Sequence, residues 1–170
     1  NPAPAAMPVF GPDDIEAAAK DGMDVVILMG VNPVYDWPGG GFADLLSRAG
    51  LSIGHGLYRD ETLAACAFAL PSAHNLESWN DAAPVAGLDT LCQPVIAPLY
   101  GARQEAESLF RWTRLLAPGD ESLAKCADWH DFVRERWLNV VLTGTADKRA
   151  AWEEALRSSI AGEPERPAFP

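Results

Sequence analysis

The run DVVILMGVNPVYD at residues 24–36 constrains the fold of this chain more than any other feature. Val25–Met29 is apolar at every position, and the sequence then becomes polar within a few residues. An unbroken apolar run of this length is typical of a parallel strand that is buried on both faces. The pattern therefore predicts a central strand that ends at Gly30, on the sheet edge where ligands bind in open α/β folds.

Helix and strand patterns alternate around this run. Pro12 follows Gly11 and precedes acidic residues, which predicts a helix from there to about Lys20. After the strand, apolar residues at helical spacing over 42–46 lead to a second strand beginning at Leu51. This is the pattern of a βαβ unit. The sequence thus predicts an α/β fold: an open, mainly parallel Rossmann-like sheet with flanking helices and a C-terminal helical extension.

Three segments are predicted along the chain. Residues 1–11 are rich in Pro and Ala, which predicts a linker. Residues 12–117 are predicted to form the Rossmann-like α/β domain, and residues 118–170 are predicted to form a helical extension with a tail. Within the domain, residues 72–98 contain many Pro, Asn, Asp and Gly. They predict a long irregular loop, of a length that usually binds or docks something. In the extension, tryptophans mark two amphipathic helices and are interpreted as packing anchors.

Charge and cysteine content limit the partners. The net charge of −11 would repel nucleic acid and an anionic membrane. No apolar run approaches the ~20 residues that a membrane-spanning helix needs. Cys66, Cys92 and Cys126 are widely spaced and lack ligand-spaced histidines, which disfavours a zinc or iron-sulfur site in this chain. We therefore expect no nucleic acid, no direct membrane insertion and no metal. Because the chain begins with Asn1 rather than Met, we interpret it as a fragment or a processed product.

Polar residues follow both predicted strands. Gly30, Asn32 and Pro33 form a turn after the first strand, and Asp60 and Thr62 begin a helix after the second. Because parallel strands end at the same sheet edge, these five residues, here called the edge cluster, are expected to lie together. A nucleotide base or phosphate can approach backbone N–H groups at such a turn. The alternatives, a plain Asx turn at Asn32 and a plain helix cap at Asp60, remain open.

Other residues that could carry chemistry lack a matching context. No Gly-x-Gly-x-x-Gly motif follows the first strand, which disfavours NAD. A hydrolase is disfavoured because His55 and His74 have no recognisable nucleophile elbow, and Ser72 lacks the Gly-x-Ser-x-Gly context. Glu77 and Asp81 can be interpreted as a general acid/base pair, although solvated loop acids are far commoner.

Four segments occur in order along the chain: MGVNP at 29–33, YRDET at 58–62, ALPSAHNLESW at 69–79 and QPVIAPLY at 93–100. Together they resemble the third domain of the molybdopterin oxidoreductase family. The resemblance implies a Rossmann-like domain that holds one guanosine arm of a molybdenum cofactor, molybdopterin guanine dinucleotide. In that family the Gly-x-Asn-Pro turn and the Glu-Thr turn bind this arm, and the edge cluster lies in the matching turns of this chain.

One branch of the family is more similar still. HNLESWND at 74–81, DFVRERW at 131–137 and WEEAL at 152–156 resemble the large iron-sulfur subunit of alternative complex III, a quinol-oxidising respiratory assembly. Its molybdopterin-like half is understood to lack the molybdenum cofactor. The resemblance implies a scaffold and docking domain that is inactive alone, with a vestigial edge cluster and no cofactor. Iron-sulfur clusters would lie elsewhere in the parent protein. Partners would be other domains and subunits of a membrane-associated respiratory complex, in a periplasmic or membrane-associated location.

Two alternatives remain. The first is a guanosine-arm binding domain of an active molybdenum oxidoreductase, which would hold molybdopterin guanine dinucleotide. The second is a free-standing α/β nucleotide-binding protein. Trp79 distinguishes them from the scaffold hypothesis, because cofactor-binding relatives more often carry Gly near this position. We expect the indole of Trp79 to lie in a loop at the carboxyl edge of the sheet, in space that a pterin-guanine arm would need.

Overall fold

The computed structural model describes residues 11–20 and 22–163. The predicted linker, apart from residue 11, and the end of the predicted tail lie outside these residues. Two compact units are present, which we name by their sheets. Among the described residues, the parallel unit comprises 11–20, 22–74 and 99–105, and the antiparallel unit comprises 75–98 and 106–163. This division differs from the boundary predicted at residue 117, because residues 75–98 and 106–117 belong with the C-terminal residues.

A three-stranded parallel sheet forms the centre of the parallel unit. The strand order is the order along the chain, and the strands are joined through helices. The elements are α1 (Pro12–Lys20), β1 (Val25–Met29), α2 (Pro33–Asp36), α3 (Phe42–Arg48), β2 (Leu51–Gly56), α4 (Glu61–Ala65) and β3 (Phe68–Pro71). The predicted α/β, Rossmann-like fold is confirmed.

Helices pack on one face of this sheet. Val26 of β1 packs with Leu45 and Leu46 of α3 in a buried cluster. Gly54 of β2 faces the same side, where an added Cβ would lie 3.0 Å from the Leu63 side chain of α4. Successive strands are added in one direction, and right-handed crossovers then place each connecting helix on the same face. The opposite face receives no helix from these crossovers.

β1 is an edge strand, so the prediction of a central strand covered on both faces is wrong. Among the described residues it pairs only with β2. Val25 is 53% exposed and Ile27 is 44% exposed, whereas Val26 between them is buried. An apolar run alone cannot distinguish a strand with two covered faces from an edge strand with one uncovered face.

The antiparallel unit contains a second three-stranded sheet, in the order β4-β5-β6. Its elements are a 3-10 turn (Asn75–Glu77), β4 (Asn80–Val85), β5 (Leu88–Cys92), α5 (Glu105–Leu116, whose first residue belongs to the parallel unit), α6 (Glu121–Ala124), α7 (Trp129–Arg136), a π-helical turn (Trp137–Val141), α8 (Lys148–Ser158) and β6 (Ile160–Gly162). The prediction of an irregular loop over residues 72–98 is therefore wrong. Gly87, with φ of +80°, forms the tight turn of the β4-β5 hairpin.

Tryptophans form the core of the antiparallel unit, as predicted. Trp137 is completely buried, and Trp152 and Val133 pack beside it. The rings of Trp137 and Trp152 meet edge to face, with centroids 6.4 Å apart. Among the described residues, no helix has the length and apolar character needed to cross a bilayer.

Candidate functional site

The structure brings members of the edge cluster together at the carboxyl edge of the parallel sheet. The Thr62 hydroxyl donates to Oδ1 of Asn32 at 2.6 Å, and Nδ2 of Asn32 donates to a Glu61 carboxylate oxygen at 2.9 Å. The backbone N–H of Val34 donates to Oγ1 of Thr62 at 2.9 Å. The loops that follow β1 and β2 are therefore joined by side-chain hydrogen bonds.

Each of the other members of the edge cluster has a local structural role. Gly30 has φ of +61°, a conformation that favours glycine, and its N–H donates to the carbonyl of His55. Pro33 is the first residue of α2. The Asp60 side chain caps α4 by accepting from the N–H of Leu63 at 2.8 Å. The helix-cap interpretation of Asp60 is confirmed, whereas Asn32 makes no side-chain cap bond and reaches across to the second loop instead.

These contacts leave a poor fit for a guanosine arm. Both polar atoms of the Asn32 carboxamide are already engaged, and the Thr62 hydroxyl is completely buried. Glu61 carries a carboxylate charge beside the turn at neutral pH, and the hydrogen bond from Asn32 lowers its pKa below the ordinary value. That charge would repel a phosphate, and the hydrogen bonds to Glu61 and Thr62 use one of the two donor and one of the two acceptor positions of the Asn32 carboxamide.

A small cleft lies where the chain leaves the ends of β2 and β3. Its lining includes Leu57, Tyr58, Arg59 and Pro71, and its volume is about 260 Å³. Sites for drug-sized ligands are usually roughly 300–1,000 Å³, so the cleft is small for a dinucleotide arm. It does contain one guanidinium and one aromatic ring, which are groups that contact phosphates and bases.

A chain of hydrogen bonds, here called the relay, lies at the carboxyl edge of the parallel sheet, on the face opposite the packed helices. Nδ1 of His55 lies 2.7 Å from Oγ of Ser72, and the Ser72 hydroxyl donates to a Glu105 carboxylate oxygen at 2.5 Å. His55 is 1% exposed and Ser72 is 6% exposed. Burial lowers the pKa of His55, and nearby Arg103 lowers it further, while Glu105 opposes the change.

The direction of the hydrogen bonds in this relay favours a structural role. A hydroxyl has one hydrogen, and that of Ser72 is directed to Glu105. The His55 ring therefore donates through Nδ1 to Ser72. A serine nucleophile needs the reverse, an imidazole that accepts the hydroxyl proton. The relay instead links the ends of β2 and β3 to the start of α5.

The relay is not predicted from local sequence motifs, because neither His55 nor Ser72 lies in a recognisable nucleophile motif. Strand alternation carries a usable signal. In the observed parallel register, His55 is opposite Leu70, so the side chains at 68, 70 and 72 point to the same face as His55. The preference of buried histidine for a polar partner then indicates Ser72. Nothing in the local sequence indicates that Glu105, 33 residues further along, completes the relay.

The expectation for Trp79 is wrong. Its ring packs within the antiparallel unit, 4.4 Å from the ring of His130 and 6.3 Å from that of Trp152. Its carbonyl accepts a hydrogen bond from the indole of Trp129 at 2.7 Å. The residue therefore belongs to the aromatic core of that unit rather than to a loop at the edge of the parallel sheet. It does not distinguish a closed cofactor site from an open one.

Asp81, one half of the predicted acid/base pair, belongs to a structural ion-pair network. The Arg136 guanidinium pairs with Asp81 and also with Asp89, at 3.3 Å from the latter. The indole N–H of Trp137 donates to Asp81 at 3.0 Å. Both carboxylates are largely buried. One guanidinium thus offsets part of the negative charge of two carboxylates inside the antiparallel unit.

Asp128, His130 and Asp131 form a group whose ligand atoms lie within 4.8 Å of one another. Helix capping explains the two carboxylates. Asp128 accepts from the N–H of Asp131, and Asp131 accepts from the N–H of Ala127. The ring of His130 packs on Trp79. These contacts account for the group without a metal ion.

Comparison of the chain with models of known protein families and with curated proteins found no match. The molybdopterin oxidoreductase assignment therefore stays a prediction that rests on the sequence segments at 29–33, 58–62, 69–79 and 93–100. The α/β fold fits that prediction, but folds of this class serve many functions.

Proposed function

We propose that this chain is a scaffold and docking domain of a molybdopterin-oxidoreductase-like electron-transfer subunit, in which the guanosine-arm turn is closed. The observation that carries the proposal is the hydrogen-bonded set of Asn32, Thr62 and Glu61. The side chains that would contact the arm bind one another. The turn then holds two loops of the sheet together rather than a cofactor.

The docking part of the proposal is supported by the uncovered face of the parallel sheet, where Val25, Ile27 and Phe68 are all about half exposed. The parent would be a respiratory quinol oxidoreductase, with iron-sulfur clusters outside this chain. Its other domains and subunits would cover apolar surface of this kind. The domain would be periplasmic or membrane-associated through that complex.

A second candidate function is guanosine-arm binding in an active molybdenum oxidoreductase. The cleft with Tyr58 and Arg59 favours it, since both residues belong to the YRDET segment of the resemblance. An arginine at this place would pair with a phosphate of the dinucleotide.

Calorimetric titration with GDP, a surrogate for the guanosine arm, distinguishes the two functions. We expect no binding heat from the wild-type chain at GDP concentrations up to about 1 mM, which corresponds to a binding free energy weaker than about −4 kcal/mol. Wild-type binding that is lost in both Asn32→Ala and Arg59→Ala would overturn the closed-site proposal and establish the second candidate. Asn139→Ala, in the antiparallel unit, is the matched control.

Glu61→Ala tests whether the hydrogen bonds among Asn32, Thr62 and Glu61 prevent a nucleotide from binding at the turn. Glu61 is exposed, so its removal frees Nδ2 of Asn32 with little effect on folding. If the network blocks the site, GDP binding appears in this variant and disappears again in the double variant with Asn32→Ala. No binding in any variant would mean that the turn has lost guanosine recognition altogether, as a pure scaffold requires.

A further inference from the structure

A pocket of about 240 Å³ lies in the parallel unit, between α1, α3 and the loop that precedes α3. Phe42 and Leu45, both buried, form an apolar wall, and the half-buried ring of Trp37 lies against Phe42, with centroids 4.9 Å apart. Two cations, Lys20 at the end of α1 and Arg48 at the end of α3, also line this pocket, which we call the helix pocket. None of its lining residues belongs to the edge cluster or to the relay.

The charge that lines the helix pocket is opposite to that of the unit around it. The described part of the parallel unit contains nine acidic and only four basic residues, and two of those four, Lys20 and Arg48, line this one pocket. Glu16 is the one carboxylate among the lining residues. Two cations against one carboxylate leave the lining with a net positive charge, in a chain whose net charge is −11.

Several hydrogen-bond donors of the helix pocket have no acceptor in the described part of the chain. Neither Lys20 nor Arg48 forms an ion pair there, although Glu16 and Asp44 precede them by four positions in α1 and α3. Nε of Arg48 donates to the Asp44 carbonyl at 3.3 Å, which leaves both terminal amino groups of the guanidinium without a described acceptor. The indole N–H of Trp37 has none among these residues either. Three side chains that can only donate therefore line one pocket.

The donors and the apolar wall together specify the chemistry of a ligand. A carboxylate accepts from ammonium, guanidinium and indole N–H groups, and hydrogen bonds between charged groups are the stronger ones. An aromatic ring suits the wall of Trp37 and Phe42, because aromatic pairs favour offset or edge-to-face contact. The size agrees, since an apolar cavity of about 150 Å³ holds benzene. The helix pocket, at about 240 Å³, therefore has room for one ring and a small charged group.

We propose that the helix pocket binds a small aromatic carboxylate, with its ring against Trp37 and Phe42 and its carboxylate between Lys20 and Arg48. This site goes beyond the proposed scaffold and docking function and is independent of the guanosine-arm turn. A bound ligand links α1 to α3, so it also stabilises the folded parallel unit by mass action.

Titration of the full, isotope-labelled chain by nuclear magnetic resonance tests the proposal. The signals followed are the backbone amides of Gly40 and Gly41, which line the pocket, and the indole N–H of Trp37. The probe is phenylacetate. Phenylacetamide keeps the ring but is neutral, and acetate keeps the charge but lacks the ring. At constant ionic strength we expect phenylacetate to bind at least about tenfold more tightly than either comparison compound.

Charge variants then place the probe in the helix pocket. Lys20→Gln and Arg48→Gln each remove one cation, and each is expected to weaken phenylacetate binding about threefold, as for an exposed ion pair. The double variant should weaken it about tenfold. Glu16→Gln removes the carboxylate that opposes the ligand charge, so this variant should bind phenylacetate about twofold more tightly.

Arg59→Gln is the matched control. Arg59 is also an exposed cation of the parallel unit, but it lines the cleft at the ends of β2 and β3 instead of the helix pocket. This variant makes the same change in net charge and should alter the dissociation constant of phenylacetate less than about 1.5-fold. The side chains at all the substituted positions are exposed, so we expect each variant to fold, and thermal unfolding without ligand checks this.

Four results would overturn the proposal. Phenylacetamide that binds as tightly as phenylacetate would exclude a role for the two cations. Acetate or inorganic phosphate that binds as tightly would indicate a simple anion site without ring recognition. A double variant that binds like Arg59→Gln would place the ligand elsewhere. The absence of saturable shifts up to about 20 mM phenylacetate would show that the pocket does not bind this class of ligand. Because the closed turn is tested separately with GDP, any of these results leaves the proposed function intact.

Discussion

Nδ1 of His55 and Oγ of Ser72 lie 2.7 Å apart at the buried carboxyl end of the parallel sheet, in hydrogen-bond contact. The contact joins β2 to the residue that follows β3, and the Ser72 hydroxyl extends it to Glu105. The relay therefore ties Glu105 to the ends of β2 and β3.

The first prediction concerns the pH dependence of stability. Burial holds the pKa of His55 below its ordinary value of 6.5, with Arg103 adding to the effect and Glu105 opposing it. As pH falls through 6.5, the unfolded chain binds a proton at this residue while the folded chain does not. The stability from neutral His55 is thus complete above pH 6.5 and is lost as pH falls towards the lower folded pKa.

Urea unfolding at about pH 7.5 and about pH 5.5 measures this effect. The wild-type midpoint should fall on acidification, and the fall should be smaller in His55→Gln, which cannot titrate. His74→Gln is the control, because His74 is exposed. An equal fall in wild type and His55→Gln would show that His55 does not contribute.

A second prediction concerns the packing of α4 on β2. A Cβ at Gly54 would lie 3.0 Å from Cγ of Leu63 and 3.1 Å from Sγ of Cys66, both closer than normal contact. Gly54→Ala should lower the free energy of unfolding by about 1–3 kcal/mol because neighbouring side chains must move. Gly119→Ala should be neutral or slightly stabilising, since its Cβ would meet no atom within 4 Å. Similar midpoints for the two variants in thermal unfolding would contradict this packing.

The sequence predicts the alternation of helices and strands in the parallel unit well, because that pattern is local. The helix predicted from Pro12 to Lys20 and the strand beginning at Leu51 are both present. The strand order is not a local property, so the exposure of β1 could not be read from Val25–Met29 alone. The β4-β5 hairpin was missed because the polar residues and Pro84 of β4 are atypical of a strand.

In the edge cluster, too, the local sequence predicts part of the arrangement but not the contacts that depend on distant residues. Asn32 and Thr62 were expected to lie together because both follow parallel strands, and the structure places their side chains 2.6 Å apart. The residue types do not reveal whether such groups face a ligand or one another. The orientation of Asn32 depends on Glu61, the residue before Thr62, whose carboxylate accepts a hydrogen bond from Nδ2 of Asn32. Trp79 was misplaced for a related reason, since its neighbours His130 and Trp152 are more than 50 residues away.

A third prediction tests the link between the two loops. Thr62→Val keeps the shape of a completely buried side chain but removes the hydroxyl that accepts from Val34 and donates to Asn32. The loss of a buried hydrogen-bonding group should cost about 1–3 kcal/mol of unfolding free energy. Thr145→Val is the control, since its hydroxyl is exposed and bonds only to the carbonyl of Leu142. Chemical denaturation measures both, and a Thr62→Val variant as stable as the control would exclude a structural role for the hydroxyl.

The final prediction concerns the charge balance in the antiparallel unit. Arg136 pairs with Asp81 and Asp89, whose side chains are 15% and 10% exposed. Arg136→Gln leaves two poorly solvated carboxylates near one another, whereas Asp81→Asn leaves Arg136 paired with Asp89 and still provides an oxygen for the Trp137 indole. We expect a loss of about 2–3 kcal/mol for Arg136→Gln, somewhat below the cost of breaking a fully buried pair because Arg136 is 30% exposed.

For Asp81→Asn we expect a smaller loss, about 1 kcal/mol. Arg149→Gln, which breaks an ion pair on the surface of α8, should have no measurable effect. Urea unfolding followed by tryptophan fluorescence reports on this unit directly, because Trp137 contacts the network. If Asp81→Asn were more damaging than Arg136→Gln, the carboxylate charge of Asp81, rather than the guanidinium of Arg136, would make the larger contribution to stability.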